Sequence, residues 1–367
     1  MTTTFTVERT DLRRTRWAGS AAASLSDDQV RLRIERFALT SNNITYGAFG
    51  NAMNYWNFFP TGDATTGCIP VWGFATVLES RAAGIAAGER FYGYFPMADQ
   101  VVLGPVRAID GGFVDAAAHR RELHGVYNHY LRCSTDPVYQ AEQEDLIALL
   151  RPLFTTSFLI DDFLADNAFF GARSVLVSSA SSKTAYGLGA CFALRRGAAG
   201  GVSSVGLTSE INVDFTRRLG CYDRVVSYGD VTTLDASEAT VYVDMSGNAG
   251  VRASIHERWA ERLRYSCSVG GTHWERLGGG NGLAGPRPVL FFAPAQAKKR
   301  ASEWGADVLQ QRVASAWSMF VQQVSAGPQP WLRVVAGTGQ KAVEDTYIAL
   351  LEGRVSADEG RVLSIPS

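Results

Sequence analysis

SVLVSSASSKTAYGLGACFALRR, residues 174–196, decides how the rest of the chain is read. It opens on Val175-Leu176-Val177, an apolar run expected as a buried strand. Small polar residues follow, Ser178-Ser179-Ala180-Ser181-Ser182, and then Lys183-Thr184. From Ala185 the pattern becomes helical, with Leu188, Cys191, Phe192 and Leu194 on one face and Gly197 as a stop. A strand that turns through small residues into a helix aims free N–H groups at one point. A phosphate binds at such a point, and Lys183 adds a full positive charge there. The spelling is not G-x-G-x-x-G, so on this segment alone a plain strand–helix joint of an α/β protein stays open.

Size and charge set the frame. The 367 residues suffice for two domains, and 46% hydrophobic content is that of an ordinary globular protein. Lys and Arg (35) balance Asp and Glu (36), which gives no bulk electrostatic case for nucleic acid or an anionic membrane. No apolar run approaches the roughly 18 residues of a membrane span, and the first residues lack a signal-peptide core. Cys68, Cys133, Cys191, Cys221 and Cys267 are scattered, without a C-x-x-C pair. Neither a disulfide framework nor a zinc knuckle is expected, and a reducing cytoplasm is the expected setting.

Upstream of the quoted stretch, Val30–Phe37 alternates apolar and charged residues like a half-buried strand. Ser41–Gly47 reads as turn-rich, and Tyr55, Trp56, Phe58 and Phe59 form an aromatic cluster. Short strands with glycine turns over residues 69–103 suggest a small barrel-like β domain. Residues 119–150 read as long polar helices added to it. Downstream, strands are expected at Val202–Leu207, Arg224–Tyr228, Ala239–Asp244, Tyr265–Gly270 and Val289–Phe292. Helices are expected at Val213–Leu219, Arg252–Leu263, Ser302–Val324 and Asp345–Glu352, with a loop over 275–288 and a last strand at Gly360–Ile365. That α/β rhythm predicts a doubly wound parallel sheet.

Several stretches, in this order, resemble the medium-chain dehydrogenase/reductase superfamily on its zinc-free quinone/enoyl reductase side. Leu39–Thr45 resembles the family's N-P-x-D segment, and Ile69–Val77 its P-G-x-x-x-x-G-x-V strand. Gly88–Gly93 resembles G-D-R-V-x-G, and Val175–Gly187 stands where A-x-G-G-V-G lies. Val205–Ser209 and Arg217–Tyr228 resemble the second strand and its L-G-A-D-x-V-I-x-Y continuation. Val243–Gly247 resembles D-x-x-G, and Arg264–Thr272 the late strand beside nicotinamide. The resemblance implies an α/β fold: a GroES-like β-barrel catalytic domain (1–150, with the helical addition at about 119–150), a Rossmann nucleotide-binding domain (151–293), and a return to the catalytic domain (294–367).

It also implies NADP(H) as cofactor. Ser179, Ala180, Ser182, Lys183 and Thr184 would hold the phosphates, and Tyr228 matches a family tyrosine near the adenosine. Thr208, Ser209 and Asn212 stand where an acidic residue would hold the ribose of NAD, and neutral hydroxyls do not repel a 2′-phosphate. Glu210 leaves NADH open, and Arg217 or Arg218 either supplies charge or is a solvated helix residue. Ser246, Gly247, Gly270, Thr272 and His273 fall on the nicotinamide side. Thr40–Thr45 and Trp72-Gly73-Phe74, where zinc-dependent members carry ligands, contain no Cys, His or Glu. The five-residue spacing of His119, His124 and His129 does not stack them on a helical face, so they read as solvated rather than as ligands.

Without a metal, the expected reaction is hydride transfer to an activated C=C bond of an enone, enoyl group or quinone. Tyr46 and Tyr55 are the expected proton donors, with Asn42 and Thr45 beside the nicotinamide, and packing is the competing role for each tyrosine. Carbonyl reduction on the same scaffold, or nucleotide binding without turnover, are the alternatives. The aromatic residues point to a small hydrophobic carbonyl substrate. The resemblance further implies a homodimer with Val289–Phe292 at its seam.

Overall fold

The computed structural model describes residues 2–21, 24–196, 201–270, 282–325 and 329–366. Two compact units divide the chain: Met1–Leu149 with Leu332–Ser367, and Leu150–Trp331.

The second unit is built on six strands with the spatial order Arg224–Ser227, Ser203–Thr208, Ser174–Val177, Thr240–Asp244, Leu263–Ser268, Val289–Leu290. Every neighbouring pair is parallel. Parallel strands are buried on both faces and so read as apolar runs, which is why Val175, Leu176 and Val177 carry no polar alternation. The order reverses between Ser174–Val177 and Thr240–Asp244, whose carboxyl ends lie side by side with Val177 opposite Val243. Ligands of doubly wound sheets bind at such a reversal.

In the first unit, Val30–Leu39 is the spine of a largely antiparallel nine-stranded sheet. One edge pairs with Pro70–Ser80; the other takes Gln100–Leu103 at its start and Glu359–Ser364 at its end. Register shifts at Arg31/Leu32 and Ile34/Arg36 bend the strand, as bulges do. A second sheet of three strands holds Asp11–Ser20, Thr2–Glu8 and Thr66–Gly67.

Four readings are corrected. Residues 119–150 are not long helices. They are short 3-10 turns around the strand His129–Arg132, which pairs with Arg90–Pro96 and Gly112–Asp115. Gly125 and Pro137 interrupt any helix there, while Tyr130 stacks on Phe113 at 4.7 Å. The long helix begins only at Glu144 and runs to Asp166.

Ser41–Ala48 is a helix rather than a turn, because Asn43 accepts from the Thr40 N–H at 2.8 Å and caps the start. The chain returns to the first unit at Leu332, not at 294. Ala293–Trp304 and Ala306–Ser325, broken at Gly305, belong to the second unit, where Phe320 stacks on Phe154 at 4.5 Å. The strand Arg333–Thr338, parallel to Glu359–Ser364, was not expected.

The tightest backbone approach in the sheet is at Gly112, where a Cβ would lie 1.9 Å from the Tyr130 carbonyl oxygen. Gly112→Ala is therefore expected to destabilise the chain by about 1–3 kcal/mol, as overpacking does. A lowered urea midpoint checks this, and an unchanged midpoint contradicts the pairing with His129–Arg132.

Candidate functional site

The turn after Val177 is closed by its own serines. Ser178 Oγ donates to Asp244 Oδ1 at 2.8 Å and accepts from the N–H groups of Met245 (3.0 Å) and Ser246 (3.1 Å). Ser179 takes the left-handed conformation with φ +48, which costs a non-glycine residue about 1–2 kcal/mol. Its N–H donates to Tyr228 Oη at 2.8 Å, bringing the expected adenosine-side tyrosine onto the turn. Burial raises the Tyr228 pKa, so the phenol keeps its proton.

The Ala180 N–H donates to the Leu207 carbonyl at 3.0 Å, and Tyr222 Oη donates to the Ala180 carbonyl at 3.2 Å. This close approach needs Gly206, where a Cβ would fall 2.9 Å from that of Ala180. Thr208 Oγ1 donates to Ser181 Oγ at 3.2 Å, linking the second strand's end to the turn. Ser182 caps the helix Lys183–Leu194, accepting from Ala185 N–H, and Lys183 and Thr184 are half-buried in its first turn.

Asp244 anchors the opposite side. Fully buried, its Oδ1 also accepts from Ser246 N–H (3.0 Å), Ser246 Oγ (2.9 Å) and Gly247 N–H (2.9 Å). Its Oδ2 takes Arg252 Nε and Nη2, both at 2.8 Å. Gly270 reaches the same place through its N–H to the Asp244 carbonyl, at 3.3 Å. Ser209 and Asn212 bond each other at 3.0 Å, and Glu210 is exposed. Arg217 pairs with Asp214, and Arg218 lies over Phe215; both are exposed. Thr272 and His273 lie outside the described residues. Sequence reasoning missed Ser178, Ser181 and Arg252. The available signal was Asp244 itself, an acid directly after Val241-Tyr242-Val243, with Arg252 eight residues on along the next helix.

The first unit gathers the tyrosines. Asn42 Nδ2 donates to Tyr46 Oη at 2.8 Å, one helical turn away. The ring of Tyr46 meets Tyr55 at 4.5 Å and Tyr94 at 5.7 Å, and Tyr94 meets Trp72 at 5.0 Å and Tyr127 at 4.7 Å. Tyr55 and Tyr127 share a hydroxyl contact at 3.4 Å. Burial pushes the pKa of all four phenols up, and the charge effects on them come from one another and Cys68, with no charged side chain among the causes. They are neutral donors over the whole physiological range. The Thr45 hydroxyl instead bonds back to the Ser41 carbonyl at 3.4 Å. Trp72, Tyr94 and Tyr127 were not singled out from sequence; inward alternation of Trp72 with Phe74, and of Tyr92 with Tyr94, was the signal.

Among the described residues, no three His, Cys, Asp or Glu side chains come together. His119, His124 and His129 are exposed on separate turns and a strand, not on one helix. The five cysteines are buried and none is in a disulfide among the described residues.

Residues 37–356 match the family described as "Protein of unknown function (DUF2855)". The chain belongs to the DUF2855 family. No curated protein matches it. Among solved structures, the DUF2855 chain is similar to CurA from Vibrio vulnificus in complex with NADPH, with a TM-score of 0.57 at 15% identity over 96% of this chain and 95% of that one. The mitochondrial 2-enoyl thioester reductase Etr1p/Etr2p heterodimer from Candida tropicalis gives 0.55 at 9% identity, over 99% of both chains. A Bacillus thuringiensis protein assigned as an NADPH:quinone reductase gives 0.55 at 11%, over 99% and 98%. These likenesses show the fold, one GroES-like and one Rossmann unit in a single chain.

Asp244→Ala removes the carboxylate that Arg252 forks onto and strips the turn of its anchor. The expected loss is about 3–5 kcal/mol, the cost of breaking a buried pair. A denaturation midpoint close to that of the parent chain would contradict the network.

Proposed function

We propose that this DUF2855 protein is a zinc-independent, NADPH-dependent oxidoreductase that reduces an activated C=C bond. The observation that carries the reading is the serine turn at the strand-order reversal, closed on Asp244 and leading into the helix that begins at Lys183. CurA, similar in fold, was crystallised with NADPH, which supports the same cofactor here.

Ser179, Ala180, Ser182, Lys183 and Thr184 would hold the diphosphate, using helix-start N–H groups and one ammonium. Thr208, Ser209, Asn212 and Tyr228 would line the adenosine end, where neutral hydroxyls favour a 2′-phosphate over the bare ribose. Ser246, Gly247 and Gly270 would lie toward the nicotinamide. A dihydronicotinamide, when bound, supplies the hydride. Tyr46 then supplies the proton, and the donors around it, Asn42 among them, are hydrogen-bonding groups rather than metal ligands. Tyr55, in ring contact with Tyr46, is the second phenol of the site.

Carbonyl reduction is the competing reaction, since phenol donors serve a ketone oxygen as readily as an enolate. Two copies would pair through the edge strand Val289–Leu290, whose side chains are 46% and 65% exposed. Five cysteines outside any disulfide would suit a reducing cytoplasm.

A panel of enones, quinones and ketones, followed by NADPH oxidation, tests the reading. Turnover is expected with the first two classes, and Tyr46→Phe should lower kcat by roughly 10²–10⁴-fold. No oxidation of NADPH by any member contradicts the proposal, and preference for ketones replaces C=C reduction by carbonyl reduction.

A further inference from the structure

We infer that His256 is an acid-sensitive clasp: neutral, it fastens residues 282–288 and the edge strand that follows them, and protonated it lets them go. Every group involved lies in the second unit, and the inference stands apart from the proposed reaction.

The His256 imidazole, near the end of the helix Ala249–Trp259, is fully buried and bonded at both nitrogens. Nδ1 lies 2.8 Å from the Ala284 carbonyl oxygen, and Nε2 lies 2.9 Å from Ser266 Oγ. A carbonyl can only accept, so Nδ1 carries the proton and Nε2 accepts from the Ser266 hydroxyl. The neutral ring is thereby satisfied, whereas an imidazolium in its place would be a buried charge without a counter-ion bonded to it.

Two charges bear on the ring among the described residues: Arg252, one turn earlier on the same helix, and Asp244, at the end of Thr240–Asp244. They bind each other and act on the ring with opposite sign. The strand Leu263–Ser268 offers it the Ser266 hydroxyl and 282–288 the Ala284 carbonyl, while Glu257, Arg258 and Arg287 are exposed. Burial is the largest influence and holds the His256 pKa below its ordinary value.

Helix and sheet resist opening, but 282–288 has no regular structure. Among the described residues, the bond from His256 Nδ1 is the one hydrogen bond that ties this segment to the rest of the unit. Gly285 lies so close to the helix end that a Cβ would fall 2.4 Å from the Ala260 carbonyl oxygen. Beyond it, Val289–Leu290 pairs with the sheet at two positions only, Cys267 and Ser268. Lifting the segment is therefore the easiest way to bring the ring to water. The opened ring binds a proton near its ordinary pKa and the closed ring does not, so opening takes up one proton. The clasp holds fully above about pH 6.5 and weakens as pH falls below it.

The test is amide hydrogen exchange of the full chain, read at Phe291 and corrected for the intrinsic rate at each pH. The Phe291 N–H donates to the Ser268 carbonyl at 2.8 Å and so reports on the edge. Its protection should fall roughly tenfold between about pH 7.5 and about pH 5.5, while that of buried Val243 in the neighbouring sheet holds. In His256→Gln, whose amide can donate to the carbonyl and accept from the hydroxyl without titrating, protection at Phe291 should not change with pH. Unchanged protection in the parent chain overturns the inference, and so does an equal fall at Val243, whether or not the variant folds. An equal fall at Phe291 in His256→Gln overturns it as well.

Discussion

One buried carboxylate ties the nucleotide-binding half together. Asp244 sits at the end of its strand with no solvent access, and a charge so placed is tolerated only when fully paired. Four donors close on one of its oxygens, and Arg252 forks onto the other. Because Ser178 leaves one strand while Ser246 and Gly247 leave another, the same atom fixes both loops at the sheet's reversal. The edge that must present N–H groups to an anion is thereby held rigid without a glycine in the turn. Ser179 bears the left-handed strain that glycine would have relieved, and its N–H bond to Tyr228 helps offset it.

The first unit solves a different problem. Two strands, a helix and two 3-10 turns bring phenols and an indole together there, and the charge effects on the phenols come from one another and Cys68. A phenol is already neutral at physiological pH, and burial raises the pKa of these further, since desolvation opposes tyrosinate. Such a cluster gives protons reluctantly, and within it the Tyr46 oxygen accepts from Asn42 Nδ2. The chemistry expected of it, protonation of an anion formed by hydride addition, matches what neutral donors can do.

Much of this was legible in the sequence. The apolar runs at Val175–Val177 and Val241–Val243 could only be buried strands, and their alternation with helical stretches gave the parallel sheet. The serine turn was readable as a strand–helix joint with a lysine at its helix end. Its closure was not, because hydroxyl-to-carboxylate bonds between Ser178 and Asp244 join residues far apart in the chain. Residues 119–150 misled because polar residues with scattered aromatics imitate a solvated helix. Tyr130 instead earns its place by packing across the sheet on Phe113 and Gly93. A ring neighbour of Tyr46 was hidden for the same reason: Tyr94 looks like strand packing until the strands are in register, with Trp72 opposite Tyr94.

Equilibrium titration of the purified chain with NADPH and with NADH, followed by calorimetry, tests the role of the serine turn most directly. Saturable binding of one NADPH per chain, with NADH weaker, is the result it predicts. If neither nucleotide associates, the serine turn is a structural joint and the functional reading built on it is wrong.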